Sequence, residues 1–319
     1  MALPRVLTWH IHGSYLSYLA DGARQGRYEL LLPVKPGRPE GYGGRNGNFD
    51  WPDGVSEIAA EDVRGARVDV VLTQSRKNWE VDRHELLSPA QLRLPQVHLE
   101  HDPPREVPTD THHFVDDPSA LLVHVTHFND LMWDSGRTAT TVIEHGVTVP
   151  EGVRWTGELA RGLVVVNGLA GRGRRLGADV FARVREQVPL DLAGIGAEAL
   201  GGVGDVPHGS LAAFSAPYRC FFNPIRYTSL GLAVCEAMLL GLPVVGLATT
   251  EMATVVENGV NGYVDTDVDR LVGHLHALLA DHALAARLSE GARETARERF
   301  GIERFARDWQ ALFAQVTAP

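Results

Sequence analysis

The chain has 319 residues, 44% of them hydrophobic, and a formal net charge of −10 at pH 7. That length and apolar content support a sizeable core and favour two domains over one. The acidic balance excludes broad electrostatic capture by nucleic acid or anionic lipid and leaves room for a local basic patch of the kind a phosphate needs. No run of about eighteen apolar residues is present. Arg5 followed by Trp9, His10 and His12 is unlike a signal peptide, and two cysteines outside any Cys-x-x-Cys pattern exclude a disulfide framework or a structural zinc site. A reduced, cytoplasmic protein is expected.

In chain order, Val6–Ile11 reads as a first strand, His12-Gly13-Ser14 as a small loop and Tyr15–Ala23 as a helix. Gly13 is either an ordinary turn glycine or a point where backbone N–H groups come close to an anion. Residues 35–53 are dense in Gly, Pro, Asn and Arg without a hydrophobic period, and a loop of that length is functional or disordered. Val68–Ser75, Gln96–His101 and Leu121–Thr126 read as strands of an open parallel sheet, whose polar C-terminal ends are where ligand-facing groups stand. Ten of the 14 histidines fall in the first 145 residues, including His10, His12 and His101. Zinc sites use His-x-His pairs, but no His-Glu-x-x-His helix accompanies them, so they read as cleft or core histidines and no metal is expected.

A second α/β half opens with the strand Leu163–Asn167. It runs into a glycine-loosened loop, Gly168–Gly177, which holds Arg172, Arg174 and Arg175 ahead of the helix Ala178–Gln187. The arginines are either a solvated face or a clamp for a diphosphate, because guanidinium matches phosphate geometry. Leu190–Gly196 ends in Gly-x-Gly, but the third glycine and the downstream acid of a dinucleotide fingerprint are out of place. Asp265–Asp269 imitates a metal motif, yet it precedes the apolar run Leu271–Leu279 and reads as helix capping. Phe305, Trp309 and Phe313, four residues apart, form one apolar face of the final helix.

Tyr227–Gly246 organises this half as a turn, a helix bracketed by Gly231 and Gly241, a second turn and a strand. From Leu232 to Leu240 every side chain except Glu236 is apolar, the pattern of a helix buried on all sides. An unpaired ionised carboxylate there would cost several kcal/mol, so Glu236 requires a partner. Two partners fit: an arginine or backbone amide within the fold, or a ligand diol such as a ribose. A helix start at Thr228-Ser229 would also leave N–H groups free for a diphosphate.

This stretch resembles the signature of retaining GT-B glycosyltransferases of the large family 4 (glycosyl transferases group 1) type. Gly231-Leu232, Glu236 and Gly241-Leu242-Pro243-Val244-Val245 match it, whereas Thr228 stands where the family has the first Glu of a pair spaced eight apart. Val142–Val147 and Glu257–Val264 extend the likeness. The resemblance implies an α/β protein with the GT-B fold, two doubly wound Rossmann-like domains facing a cleft. They would be an acceptor-side domain over 1–155, a nucleotide-sugar-binding domain over 156–300, and a helix over 301–319 crossing back to the first. It further implies retaining transfer from a nucleotide-diphosphate sugar, a UDP-sugar favoured over a GDP-sugar. The acceptor is left open among a glycan, a lipid-linked and a small molecule, with cell-envelope or exopolysaccharide synthesis as the setting.

By the same resemblance Glu236 holds the ribose and, with His101, forms the catalytic set, while Gly13, Arg172, Arg174, Arg175, Thr228, Ser229, Leu230 and Gly231 contact the donor. Leu169 follows Gly168 where the family has an arginine. No cofactor, metal or nucleic-acid partner is implied; a transient contact with a membrane surface and the oligomeric state stay open. Two alternatives stand beside transfer: a nucleotide-sugar-binding protein without transferase activity, and a nucleotide-sugar epimerase.

Overall fold

The computed structural model describes residues 3–46 and 49–318; Gly47 and Asn48 of the expected long loop lie outside them. It comprises two compact units, Met1–Gly146 with Ile302–Pro319, and Val147–Gly301.

The first unit holds seven strands, β1 (Arg5–Thr8), β2 (Glu29–Val34), β3 (Val55–Ala59), β4 (Val70–Thr73), β5 (Gln96–Glu100), β6 (Ala120–His124) and β7 (Ala139–Val142). All are parallel, in the order β3-β2-β1-β4-β5-β6-β7. Every residue of β4 is buried, as a parallel strand covered on both faces requires. Helix α1 (Gly13–Arg24) follows β1, with two short helices later, α2 (Arg83–Leu86) and α3 (His127–Met132). The C-terminal helix Ile302–Val316 belongs to this unit and lays its apolar face on α1. Tyr15 meets Phe305 edge-on at 5.6 Å and Tyr28 meets Phe313 at 5.0 Å, contacts that each contribute about 0.5–1.5 kcal/mol beyond area burial. Close approach explains Gly146, where a Cβ would lie 2.3 Å from the Phe305 side chain.

The described residues of the loop over 35–53 are irregular but tied to the rest of the unit. Gly41 and Gly43 form isolated bridges to His10 and Val34, and the buried Tyr42 donates its hydroxyl to Asp82 at 2.9 Å.

The second unit holds β8 (Leu159–Val165), β9 (Leu190–Ala193), β10 (Tyr218–Asn223), β11 (Val244–Leu247) and β12 (Gly262–Asp265), again all parallel, in the order β12-β11-β10-β8-β9. Its helices are α4 (Leu169–Arg172), α5 (Ala178–Arg185), α6 (His208–Ser215), α7 (Leu232–Leu240), α8 (Met252–Val255), α9 (Val268–Ala280) and α10 (His282–Phe300). β10 is buried along its whole length, and Phe222 joins Phe181, Leu271, Leu275 and Leu288 in one core. Asp267 caps α9 by accepting the Asp269 N–H at 2.9 Å, the role its sequence suggests. Val147 donates to Phe300 O and Thr156 to Ala216 O, both at 2.9 Å, so this unit begins ahead of residue 156. Among the described residues no helix is long and apolar enough to cross a membrane.

Two local expectations are corrected. Residues 168–177 are not an open loop but one turn of α4 followed by a 3-10 turn, Gly173–Leu176; the left-handed Gly168, Gly173 and Gly177 act as joints between turns. Nor is α7 buried on every side. Leu232, Ala233, Glu236 and Leu239 form a half-buried stripe along one face, and the helix begins at Leu232, capped by Gly231, rather than at Thr228-Ser229.

The first unit also buries histidines in neutral form. His124 is fully buried, and burial pushes its pKa down to about 4, opposed only in part by Asp130. Because the folded value lies below the unfolded one of 6.5, the unfolded chain binds the extra proton between these limits. The stability linked to His124 is therefore complete above pH 6.5 and falls away toward pH 4, by on the order of 3 kcal/mol. Urea unfolding across this window should show a stability that rises with pH, and His124→Phe should flatten that rise by one proton's worth; an unchanged slope in the variant contradicts the assignment.

Candidate functional site

In the second unit the chain reverses its direction of travel across the sheet between β8 and β10, the switch point at which open α/β sheets bind ligands beyond the strand C-termini. The segments leaving these two strands meet there. Arg226 and Tyr227 N–H groups both donate to Arg175 O at 3.1 Å. Gly177 permits the contact: its φ is +81°, and a Cβ would lie 1.9 Å from Pro224 O. Beside them the Gly194–Gly196 turn exposes Ile195, whose N–H donates to Asn167 Oδ1 at 2.9 Å.

The three predicted arginines differ in state. Arg174 is ion-paired to Asp179 at 2.6 Å, and Asp179 also takes Arg226 at 2.5 and 2.8 Å. Arg172 is exposed, and its guanidinium makes no hydrogen bond or ion pair among the described residues. Arg175 is half-buried and supplies the carbonyl that binds the two segments.

Thr228–Gly231 leads from this junction into α7. Gly231 offers no side-chain cap; Val234 N–H donates to Gly231 O at 3.0 Å, and the N–H groups ahead of it at the helix start favour an anion. Ser229 is buried and its hydroxyl makes no hydrogen bond among the described residues. One turn into the helix, Glu236 Oε1 lies 3.3 Å from His208 Nε2 at the start of α6, with side-chain exposures of 16% and 30%. One partner of the carboxylate is thus a histidine, which the sequence does not suggest.

Gly13 and His101 lie on the first unit. Gly13 sits against His10 and Phe49, which a Cβ would approach to 3.1 and 3.0 Å. His101 lies tilted against His12, 4.1 Å between ring centres at 58°, and meets Tyr15 edge-on at 4.8 Å. Its Nε2 is 3.2 Å from Gln74 Oε1. The Gln74 amide nitrogen donates to Trp9 O at 3.1 Å, which fixes the oxygen toward His101. His101 therefore carries its proton on Nε2 and presents a lone pair at Nδ1. Burial, then His12, His145 and His98, hold its pKa well below the ordinary value, so the ring is neutral at pH 7.

A second histidine group has metal-ligand atoms close together: those of His98, Glu100 and His113 lie within 4.8 Å of one another. Hydrogen bonds also join them. Val115 N–H donates to His113 Nδ1 at 3.0 Å, which leaves the ring proton on Nε2, 3.1 Å from Glu100 Oε2. The nitrogen facing the carboxylate is a donor, not a lone pair.

Comparison with known proteins follows this geometry. Residues 169–281, covering the junction, Thr228–Gly231 and α7, match the family model of glycosyl transferases group 1. The match lies within the second unit. A D-inositol 3-phosphate glycosyltransferase of Xylanimonas cellulosilytica is 41% identical over 96 residues, which are 30% of this chain and 23% of that protein, so the match spans less than a quarter of the relative. Solved structures resemble the chain over its length. Sucrose-phosphate synthase from Thermosynechococcus elongatus superposes with a TM-score of 0.72 at 16% identity, covering 98% of this chain and 99% of that one. Anabaena HepE in complex with UDP gives 0.67 at 16% identity, covering 99% and 100%. At such identities the likeness speaks for the fold, and the fold is GT-B.

Within the matched stretch, sequence reading misses His208, Arg226 and Asp179, and in the first unit it misses the pairing of Gln74 with His101. His208 and Gln74 act through contacts 28 and 27 residues away along the chain, which no local period announces. The arginine states generate a prediction for anion binding. Arg172→Ala should weaken a nucleoside diphosphate about tenfold or more relative to the bare nucleoside, as loss of a charge-assisted bond does. Arg174→Ala, whose charge Asp179 already offsets, should have a smaller effect on that ratio. Calorimetry on both variants checks this, and equal losses contradict it.

Proposed function

We propose that the chain is a retaining glycosyltransferase that uses a nucleotide-diphosphate sugar, a UDP-sugar before a GDP-sugar, as donor. The observation carrying this reading is Glu236: a largely buried carboxylate, one turn inside a helix start without a side-chain cap, at the switch point of the unit that matches the glycosyl transferases group 1 model. A carboxylate accepts two hydroxyls at once, as a ribose offers, and an uncapped helix start favours a diphosphate. HepE, which shares the fold, has been solved with UDP and with UDP and glucose.

In this reading Ile195 gives the base an apolar shelf and Glu236 takes the ribose hydroxyls. Arg172 and Arg175, with the α7 N–H groups and the Ser229 hydroxyl, take the diphosphate. Charge developing on that leaving group then meets fixed cations and dipoles, so no metal is required. The bond from C1 of the sugar to the diphosphate oxygen breaks while the acceptor oxygen bonds to C1 on the same face and passes its proton to the departing diphosphate, which retains the configuration. On resemblance, Gly13 and His101 are assigned to the donor as well, His101 acting as a neutral ring. The acceptor is a glycan, a lipid-linked or a small molecule, with the loop 35–53 as its candidate surface and the cytoplasm as the setting.

Thr228 favours a second reading, a protein that binds sugar nucleotides without transferring. A carboxylate there would accept charge-assisted bonds worth about 1.5–3 kcal/mol each, whereas a threonine hydroxyl supplies one neutral bond of about 0.5–1.5 kcal/mol. The sugar is therefore held less firmly, and UDP should bind within about tenfold of the intact UDP-sugar by calorimetry. One donor bound about a hundredfold above both UDP and its epimer would contradict the place given to Thr228. Incubating donors without acceptor separates the activities: a transferase slowly releases UDP, an epimerase yields a new sugar nucleotide, and a binder does neither.

A further inference from the structure

The first unit carries a second cleft, at the opposite end of its sheet from His101. It lies by the first residues of β5 and β6, Gln96 and Ala120, which are register partners, whereas the ligand sites of open α/β sheets stand beyond the strand C-termini. All of its lining residues belong to the first unit. Its volume of about 690 Å³ is within the roughly 300–1,000 Å³ of small-molecule sites. Part of the lining is apolar: Leu92, Leu94, Pro95, Leu121 and Val316 are each half-buried.

The other part is cationic. The Arg83 guanidinium lies 3.5 Å from the centre of the Trp79 ring, its Nε donates to Trp79 O at 2.6 Å and its Nη1 to Gln96 Oε1 at 3.4 Å. These contacts hold the group in place without neutralising it. Burial lowers its pKa, opposed by Asp117, the sign of a cation without a close counter-ion. Among the described residues Arg83 Nη2 has no hydrogen-bond partner, and Arg93, exposed at the end of the 3-10 turn Gln91–Arg93, has neither a hydrogen bond nor an ion pair. The acid in the lining is Asp117, whose Oδ1 already accepts the Ser119 N–H and hydroxyl at 2.9 and 2.7 Å. In a chain of net charge −10, two guanidinium groups without acid partners beside apolar side chains suit an anion that carries an apolar body.

We propose that this cleft binds an organic phosphate, whose phosphate pairs with Arg83 and Arg93 and whose apolar body covers Leu92, Leu94 and Leu121. A phosphate monoester carries close to two negative charges at pH 7, matching two cations. The negative charge of the whole chain opposes an anionic membrane surface, so the ligand is a molecule free in solution. The cleft is independent of the donor site.

Calorimetric titration of the full chain with octyl phosphate, inorganic phosphate and octanol tests this. Octyl phosphate should bind about tenfold or more tighter than either fragment. Arg93→Glu, at an exposed position with no partner to lose, should weaken octyl phosphate about tenfold or more. Leu121→Ala, checked for folding by circular dichroism, should weaken octyl phosphate and leave inorganic phosphate unchanged, and Arg172→Ala in the other unit should alter neither. Native affinity kept in Arg93→Glu, octyl phosphate bound no tighter than inorganic phosphate, or binding lost in Arg172→Ala would each overturn the proposal. Sedimentation of the chain with phosphatidic acid vesicles, abolished by Arg93→Glu, would overturn the free ligand in favour of a membrane-borne one.

Discussion

The second unit depends on satisfying one carboxylate. Glu236 lies on a helix whose other eight side chains are apolar and whose ends are fixed by glycines, Gly231 as the cap and Gly241 in the left-handed conformation at φ +112°. A charge in that setting cannot be left unpaired without a penalty of several kcal/mol, and a hydrophobic replacement would pack the helix more simply. The fold retains it by opening one face of α7, placing His208 beside it, and starting the helix without a side-chain cap where two neighbouring strands send the chain in opposite directions. Each feature alone has a structural explanation. Together they put an acceptor for hydroxyls and a set of unused donors on one short element, an arrangement suited to a ligand with a sugar at one end and a phosphate at the other.

The first unit contributes chemistry of another kind. Its sheet ends carry histidines kept neutral by burial and by one another, and Gln74, oriented by its own bond to Trp9 O, decides which nitrogen of His101 bears the proton. A neutral ring with a defined lone pair is a hydrogen-bond partner for a sugar hydroxyl rather than a charge. The network around His98, Glu100 and His113 uses the same logic, with the Val115 N–H fixing the tautomer of His113.

Much of this was legible in the sequence because the signals are local. The end of α7 at Gly241, the capping by Asp267 and the aromatic face of the C-terminal helix follow from periodicity and from residues within a turn of where they act. The edge strand β3 gives no such signal, since Ser56 and Glu57 are exposed and its period is broken, and Pro33 disguises β2. The turns of 169–176 were hidden by glycines that suggest a loose loop but serve as joints. The burial of α7 on all sides was overestimated because apolar composition does not reveal that one stripe faces away from the core. Least legible were the pairings that decide the site: Glu236 with His208, Arg174 with Asp179, and His101 with Gln74. These are made by topology, and the sequence shows only that some partner is required.

A crystal structure of the full chain soaked with UDP tests the central claim most directly. The account predicts both ribose hydroxyls within hydrogen-bond distance of Glu236 with His208 still on Oε1, and the diphosphate at the α7 start beside Arg172 and Arg175. UDP bound elsewhere on the second unit, or bound with Glu236 turned away from the ribose, would contradict it.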